Sequence, residues 1–259
     1  MTKKNKLLLL LLTLTFTCST SCYAKNVEST YVAPNKSFVK IFRKIKIIKC
    51  KEDAKTCTNS TYSSTGSGSS VFINKNFDFI LTAGHLCVNN VNLLPFGEEV
   101  EKFENKISVL DHTNTMHTAE IVYSFFGDIK KGEPDLCLLH VPNLGIPKLH
   151  FSKIPPRPGE MVVSMSAPMG VYHPPTVPVF EGRFSGKINE ISSMATVPSR
   201  PGSSGGPVLN KKNKIVGVIF AVSVFSENIT LITEFEKTKS FLQIARDAFK
   251  KVETKKQSK

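Results

Sequence analysis

Short apolar runs, separated by turn residues, recur along most of the chain. Several alternate apolar with polar side chains, which is the pattern of a strand with one buried face. The runs lie at residues 37–49, 68–73, 79–83, 107–110, 119–126, 136–141, 161–165, 177–184, 195–197, 208–209, 215–224 and 229–232. Because no helical segment separates them, the pattern predicts an all-β sandwich or barrel. The Ser- and Thr-rich residues 57–67 are expected to form a polar loop.

A helix is predicted only at the C-terminal end of the chain. Thr233, followed three residues later by Glu236, matches a capping box at a helix start. Apolar residues then recur at helical spacing, at Phe241, Ala245, Ala248 and Val252. We expect this helix to pack on the last barrel and to fray after Val252, which leaves residues 253–259 as a lysine-rich tail.

The first 24 residues have the features of a secretory signal peptide. Three lysines precede an apolar run at residues 7–12, and small residues lead to Cys22-Tyr23-Ala24. We expect cleavage after Ala24, a secreted or periplasmic location, and no transmembrane segment in the mature chain. A buried N-terminal helix and lipid attachment at Cys18 or Cys22 are the alternatives.

Composition and charge exclude some classes of protein. The 259 residues are 41% hydrophobic, which is enough for one large core or two small ones and excludes wholesale disorder. The formal net charge of +13 falls to +10 when the signal leaves, since it takes three lysines and no acids. The lysines are scattered and the chain has no tryptophan, so a solvated basic surface is favoured over nucleic-acid binding.

Four cysteines remain after removal of the signal: Cys50, Cys57, Cys87 and Cys137. An even number in an exported chain favours disulfides, and four cysteines allow three pairings. Cys50 and Cys57 flank a short polar segment, so the preferred pairing is Cys50–Cys57 with Cys87–Cys137. Zinc binding is the weaker alternative because no CxxC spacing occurs.

The segment Gly202-Ser203-Ser204-Gly205-Gly206-Pro207 lies between two strand-like runs and carries the strongest chemical signal. Glycines around a serine allow a sharp turn that presents the hydroxyl outward. They also let the N–H groups of Gly202 and Ser204 converge beside it as an oxyanion hole. Taken alone, such a string is more often an ordinary Gly/Ser loop.

A serine nucleophile needs a base, and the base needs an acceptor that orients it. His85 follows the predicted strand at residues 79–83 and a glycine, where a loop would present it to a cleft. Asp135 opens the apolar run at residues 136–141. The other five histidines form no metal-binding pattern, so we expect neither a metal nor a cofactor.

Three segments together resemble the signatures of the trypsin-like, chymotrypsin-fold serine proteases. They are Thr82-Ala83-Gly84-His85, Asp135-Leu136-Cys137-Leu138-Leu139 and the Gly202–Pro207 string, in the order His, Asp, Ser. The resemblance implies two six-stranded antiparallel β-barrels with a cleft between them and a C-terminal helix. It also implies that His85 is the general base and acid, that Asp135 orients it, and that Ser204 is the nucleophile.

Two departures from the pancreatic members narrow the resemblance. The pancreatic members carry an aspartate directly before the nucleophile, where this chain has Ser203. They also have an Ile-Val-Gly-Gly start, which this chain lacks. Residues 158–170 look more like the bacterial Deg/HtrA-type protease domain. The chain ends soon after its predicted helix, so we expect no C-terminal PDZ domains.

The sequence therefore predicts a secreted serine endopeptidase domain at residues 25–252 that acts on polypeptides. A non-catalytic binding protein of the same fold is the alternative. By resemblance, one wall of the primary substrate pocket is the segment before the nucleophile, which includes Pro198 and contains no acid. The other wall is the strand after the serine motif, which includes Ala221 and Val222. This favours cleavage after small aliphatic residues, unless Glu227 enters the pocket.

Overall fold

The first six strands form a closed antiparallel barrel. The computed structural model describes residues 31–50, 57–74, 76–88, 102–223 and 228–257. The strands are β1 (Phe38–Cys50), β2 (Cys57–Val71), β3 (Phe79–Thr82), β4 (Lys102–Leu110), β5 (Met116–Phe126) and β6 (Asp135–His140). Their order around the barrel is β1-β2-β3-β6-β5-β4, and β1 pairs with β4 to close it.

The next strands form a second closed barrel. They are β7 (His150–Phe151), β8 (Met161–Met165), β9 (Val179–Lys187), β10 (Ser192–Ala195), β11 (Pro207–Asn210), β12 (Lys214–Val222) and β13 (Thr230–Thr233). The order β11-β8-β9-β10-β13-β12 closes through the pairing of β11 with β12, and the short β7 adds to β12 in parallel. The predicted pair of six-stranded antiparallel barrels is therefore confirmed, whereas β7 was not predicted.

Each barrel has its own interior, and a third apolar cluster lies between them. Strand β6 illustrates how the sequence produces this arrangement. Its side chains point alternately to two sides, so Leu136 and Leu138 join the shared cluster while Cys137 and Leu139 fill the first barrel. Because both faces are buried, the run is apolar without interruption, and Asp135 stands at the end of a firmly packed strand.

The C-terminal helix, α1 (Phe235–Gln257), contacts both barrels. Phe241 packs against Tyr123 and Phe125 of β5, and Phe249 packs edge-on against Phe79 of β3. The prediction that the helix packs on the last barrel was therefore incomplete, because its apolar face also covers the outside of the first. The helix also continues five residues beyond Val252, where fraying was predicted.

Two local predictions were wrong. The segment predicted as a polar loop at residues 57–67 belongs to β2, where it pairs with β1 over its whole length. Its serines and threonines are exposed from residue 59 to 64, so the strand carries no apolar signal although its backbone is fully paired. The second wrong prediction is the capping box at Thr233. The helix is capped by Glu234, whose Oε2 accepts the N–H of Lys237 at 3.0 Å, while the hydroxyl of Thr233 accepts the N–H of Val218.

Candidate active site

One carboxylate holds both the backbone and the ring of His85. His85 lies in the 3-10 turn that follows β3, and Asp135 begins β6, which pairs with β3. Asp135 Oδ2 is 2.8 Å from Nδ1 of His85, and Oδ1 accepts the backbone N–H of His85 at 2.7 Å. The hydrogen bond to the carboxylate places a proton on Nδ1, which leaves Nε2 as the basic nitrogen. The His85 side chain is 31% exposed and that of Asp135 is 12% exposed, so the ring is accessible while its carboxylate partner is mostly buried.

The turn that carries His85 tolerates no side chain at Gly84. A Cβ there would overlap the carbonyl oxygen of Phe125 and lie 2.8 Å from Asp135 Oδ1. In the same turn, a disulfide joins Cys87 to Cys137 of β6, with the two Cα atoms 6.3 Å apart. This is one of the two predicted pairings, and it ties the histidine turn to the strand that carries the aspartate.

Arg43 of β1 supports the same turn and was missed by the sequence analysis. Its Nη1 donates to the carbonyl of His85 and its Nη2 to the carbonyl of Val88, both at 3.0 Å. The residue is 7% exposed, and burial lowers its pKa by penalising the charged form. A signal was present in the sequence, because Arg43 shares the core-facing side of β1 with Ile41 and Ile45.

The loop that carries Ser204, at residues 201–206 and called the serine loop below, is attached to both barrels through its backbone. The carbonyl of Ser204 accepts the N–H of Ser67 in β2 at 2.7 Å, and the N–H of Gly205 donates to Ile219 in β12 at 2.6 Å. The hydroxyl of Ser204 donates to the carbonyl of Phe220 at 3.5 Å. Both Ser204 and His85 lie in described segments, and no hydrogen bond joins them in this conformation.

Two backbone N–H groups of this loop are available beside Ser204. Across the described residues, the N–H groups of Gly202 and Ser204 have no acceptor, whereas that of Ser203 bonds to Arg200. The carbonyl of Pro201 accepts the N–H of Met169, and a trans peptide points its N–H away from its carbonyl. The N–H of Gly202 therefore points away from Met169. The pair has the composition of an oxyanion hole.

Ser67 connects this loop to the first barrel and was also missed by the sequence analysis. Its hydroxyl donates to the carbonyl of Gly202 at 2.8 Å and accepts the N–H of Ala167 at 2.9 Å. Its own carbonyl accepts the hydroxyl of Thr82 at 2.7 Å. The side chain is completely buried. Together with its N–H bond to Ser204, these contacts make Ser67 a junction between the serine loop and strands β2 and β3.

A small cavity of about 240 Å³ lies beside the serine loop. The residues that line it are Pro168, Phe180, Pro198, Ser199, Arg200 and Asn228. Of the three predicted pocket residues it contains Pro198, whereas Ala221 and Val222 lie on β12 and do not line it. No carboxylate is among these described lining residues, and Glu227 lies outside the described residues.

The remaining sequence predictions concern residues outside the three motif segments. His117 contacts Asp111 at 2.9 Å in the β4–β5 turn, away from the three motif segments. Over the described ranges there is no group of three potential metal ligands and no helix long and apolar enough to cross a bilayer. The signal peptide lies outside the described residues. The backbone of Cys50 is opposite that of Cys57 in the β1–β2 ladder, and their pairing stays a prediction.

The two barrels, with His85, Asp135 and the serine loop at their junction, define the chymotrypsin-like class of serine proteases. The chain matches the trypsin-like peptidase domain over residues 66–218, so it belongs to that family. The family predicted from the three motifs is thereby confirmed, and the chain is a serine endopeptidase by class. No curated protein sequence matches it.

Solved structures with the same fold share little sequence with this chain. It is similar to the active form of the Rv3671c protease from M. tuberculosis, at 16% identity, with a TM-score of 0.56 and 81% of each chain covered. It is also similar to a serine endoprotease from Yersinia pestis, at 17% identity and a TM-score of 0.57. That alignment covers 84% of this chain and 64% of the Yersinia chain. At such identities these structures establish the fold alone.

Proposed function

We propose that this chain hydrolyses peptide bonds through Ser204, with His85 as general base and Asp135 as its orienting acceptor. The Ser204 hydroxyl rotates from Phe220 toward His85, loses its proton to Nε2 and attacks the scissile carbonyl carbon. The N–H groups of Gly202 and Ser204 bind the resulting oxyanion. His85 then protonates the leaving amine, which leaves the acyl group esterified to Ser204. Water next gives a proton to Nε2 of His85 and attacks the ester carbonyl, and Ser204 leaves with the proton returned by His85.

The observation that carries this proposal is the pair of hydrogen bonds that the Asp135 carboxylate accepts from the ring and the backbone of His85. A carboxylate that held only the ring would not fix the ring relative to the backbone of its own turn. Here the second oxygen binds the backbone N–H, so the tautomer and the position of the ring are fixed together. The two unpaired N–H groups beside Ser204 supply the complementary electrophilic half of the site.

Hydrolysis of a peptide library by the purified protein tests the proposal. We expect turnover by the native protein and none by Ser204→Ala. Ser203→Ala is the matched control, because Ser203 is the adjacent serine but is completely buried, and it should retain measurable turnover. A native protein that binds peptides without cleaving any would instead support a non-catalytic binding protein of this fold.

We propose that cleavage follows small aliphatic residues such as valine, alanine or isoleucine. The cavity beside the serine loop is small and its described lining includes Arg200 but no carboxylate, which disfavours lysine or arginine at the cleaved position. The same library gives this preference directly. Dominant cleavage after arginine or lysine would contradict it and would direct attention to Glu227.

We also propose that the protein is exported, with residues 1–24 removed as a signal peptide and residues 25–252 forming the protease domain. The Cys87–Cys137 disulfide supports this location, because such bonds persist in oxidising compartments. N-terminal sequencing of the protein recovered from its native source should begin at Lys25. Recovery of an intact Met1 or of a lipid-modified Cys18 or Cys22 would refute the cleavage site.

A further inference from the structure

A cleft of about 830 Å³ lies on the second barrel. Three segments build it: the β7–β8 connection, the β11–β12 hairpin and part of β9. Its lining includes none of the segments that hold His85, Asp135 or Ser204. The cleft is therefore a separate feature that the proposed catalysis does not use.

The cleft is strongly basic. Six of the residues that line it can carry a positive charge: His150, Lys153, Arg183, Lys211, Lys212 and Lys214. Among its described lining residues the one acid is Glu160, and that carboxylate already accepts the backbone N–H of Arg157 at 2.8 Å. None of the four lysines forms an ion pair with another described residue. The described lining therefore carries a net positive charge.

The lysines of the β11–β12 hairpin project from a well-held turn. Asn210 Oδ1 accepts the N–H of Lys212 at 2.9 Å and the N–H of Lys214 at 3.0 Å. The backbone carbonyl of Asn210 also accepts the N–H of Asn213. Because the backbone is fixed, binding an anion requires ordering of the lysine side chains alone, which reduces the entropic cost.

The cleft also contains apolar surface, which a simple anion would leave unused. The lining residues Phe151 and Met161 are half-buried, and the lining residue Ile154 is 69% exposed. The two aromatic rings in the cleft are each packed on another ring, Phe151 on Phe235 and His150 on Phe72, at 4.9 Å in both cases. Each ring therefore has one side covered, which leaves fewer open aromatic faces for the stacked bases of a single-stranded nucleic acid.

We propose that this cleft binds an acidic peptide segment that also carries apolar side chains. Carboxylates of the segment pair with Lys211, Lys212 and Lys214, and its apolar side chains cover Ile154. Opposite charge across a partly apolar cleft favours such a segment over a basic or purely polar one. The binding weakens as the salt concentration rises, because Lys211 and Lys212 are exposed and Lys214 is half-buried.

Binding of a labelled dodecapeptide of glutamate and leucine, measured by fluorescence anisotropy, tests the proposal. The protein carries Ser204→Ala so that the probe survives, and this makes the result independent of whether Ser204 is catalytic. A peptide of the same length with glutamine in place of glutamate is the ligand control. We expect the glutamate peptide to bind about tenfold more tightly or better at low salt.

Matched triple variants locate the site. Lys211→Gln/Lys212→Gln/Lys214→Gln should weaken binding of the glutamate peptide about tenfold. The control Lys44→Gln/Lys46→Gln/Lys106→Gln removes the same charge from exposed positions of the first barrel and should change binding less than about twofold. Equal losses in the two triples would overturn the proposal, because they would mean attraction by net charge alone.

Ile154→Ser separates a peptide from other polyanions. It should weaken binding of the glutamate–leucine peptide severalfold but leave binding of an oligodeoxythymidine of equal charge unchanged. Tighter binding of the oligonucleotide than of the peptide, or a peptide affinity unchanged by Ile154→Ser, would show that the cleft does not recognise an acidic apolar peptide.

Discussion

The two halves of the candidate site are held in place by different kinds of contact. On the first barrel, the His85 turn is fixed by side chains: the carboxylate of Asp135, the guanidinium of Arg43 and the disulfide from Cys87. The serine loop is fixed mainly by backbone hydrogen bonds, to Ser67, Ile219 and Met169. Among the described contacts, the hydroxyl of Ser67 is the one side-chain group that links the serine loop to the first barrel.

Because of this difference, we expect substitutions in the two halves to affect rate and stability to different degrees. A backbone-held loop is insensitive to most side-chain changes. Its two available N–H groups are the proposed oxyanion donors, however, so we expect small shifts of the loop to cost rate. A side-chain-held turn loses stability when a buried partner is removed, because polar groups are left unpaired. Substitutions at the loop should therefore act on kcat, and those at the turn on stability as well.

The largest effect is expected within the proposed catalytic triad. Ser204→Ala, His85→Ala and Asp135→Asn should each lower kcat by several orders of magnitude, as residues that act as a unit do. The double variant Ser204→Ala/His85→Ala should be little worse than either single one, measured by hydrolysis of a peptide ester. Near-native activity of His85→Ala would show that another residue is the base.

A smaller effect on kcat is expected at the junction between the serine loop and the first barrel. Ser67→Ala removes the hydrogen bond to the carbonyl of Gly202, so the oxyanion N–H groups lose part of their alignment. We expect kcat to fall roughly tenfold to a hundredfold, less than when an oxyanion donor itself is deleted, with KM nearly unchanged.

Ser70→Ala is the control for this effect. Ser70 lies in the same strand and is equally buried, but its hydroxyl has no partner among the described residues. Its removal should leave kcat unchanged. Equal losses for the two variants would mean that Ser67 acts through general packing of β2 and not through Gly202.

Arg43→Lys should affect both stability and rate, because it breaks the fork that binds two carbonyls of the histidine turn. Lysine lacks the planar fork, so we expect one of the two charge-assisted hydrogen bonds to be lost, at a cost of about 1.5–3 kcal/mol. The carbonyl of Val88 would still accept the side-chain N–H of Asn105, which now lies 3.0 Å away. We expect kcat to fall about tenfold and the pH profile of kcat/KM to shift, since the ring of His85 moves relative to Asp135. Lys44→Met, at the adjacent exposed position, should change neither quantity.

The disulfide that ties the His85 turn to β6 should contribute stability more than rate. Cys87→Ala/Cys137→Ala is expected to lower the free energy of unfolding by about 2–4 kcal/mol, with a loss of activity smaller than that of Arg43→Lys. Mass spectrometry of a non-reduced digest should find Cys87 linked to Cys137 and Cys50 to Cys57. Alkylation of Cys87 and Cys137 without prior reduction would contradict this.

The smallest effect is expected far from the site, in the β4–β5 turn. Burial alone would raise the pKa of Asp111, but hydrogen bonds from Thr113, Thr115 and His117 lower it to about 2, from 3.8. A carboxylate with a lowered pKa stabilises the fold above pH 4 or so, and this contribution disappears as the pH falls toward about 2. Asp111→Asn should therefore lower Tm at neutral pH and approach the native Tm near pH 2. An equal loss of Tm at both pH values would exclude this linkage.

The sequence predicted the parts of this molecule that depend on local pattern. Alternating runs located most strands, and the surroundings of His85, Asp135 and Ser204 located the motif residues. The sequence did not predict the features that depend on a contact between residues far apart in the chain. The polar half of β2 is a strand because β1 pairs with it, and Ser67 and Gly202 are 135 residues apart. The basic cleft assembles from three separate segments, and no one of them is unusual alone.

Site-mapped labelling with a fluorophosphonate is the most direct test of the central claim, that Ser204 is a nucleophile activated by His85. We expect one modified residue, Ser204, in the native protein, and labelling that is at least a hundredfold slower in His85→Ala. Ser203 is the adjacent internal control and should stay unmodified, because it is buried. Absence of the label from Ser204 in the folded native protein, or labelling that does not depend on His85, would contradict the account.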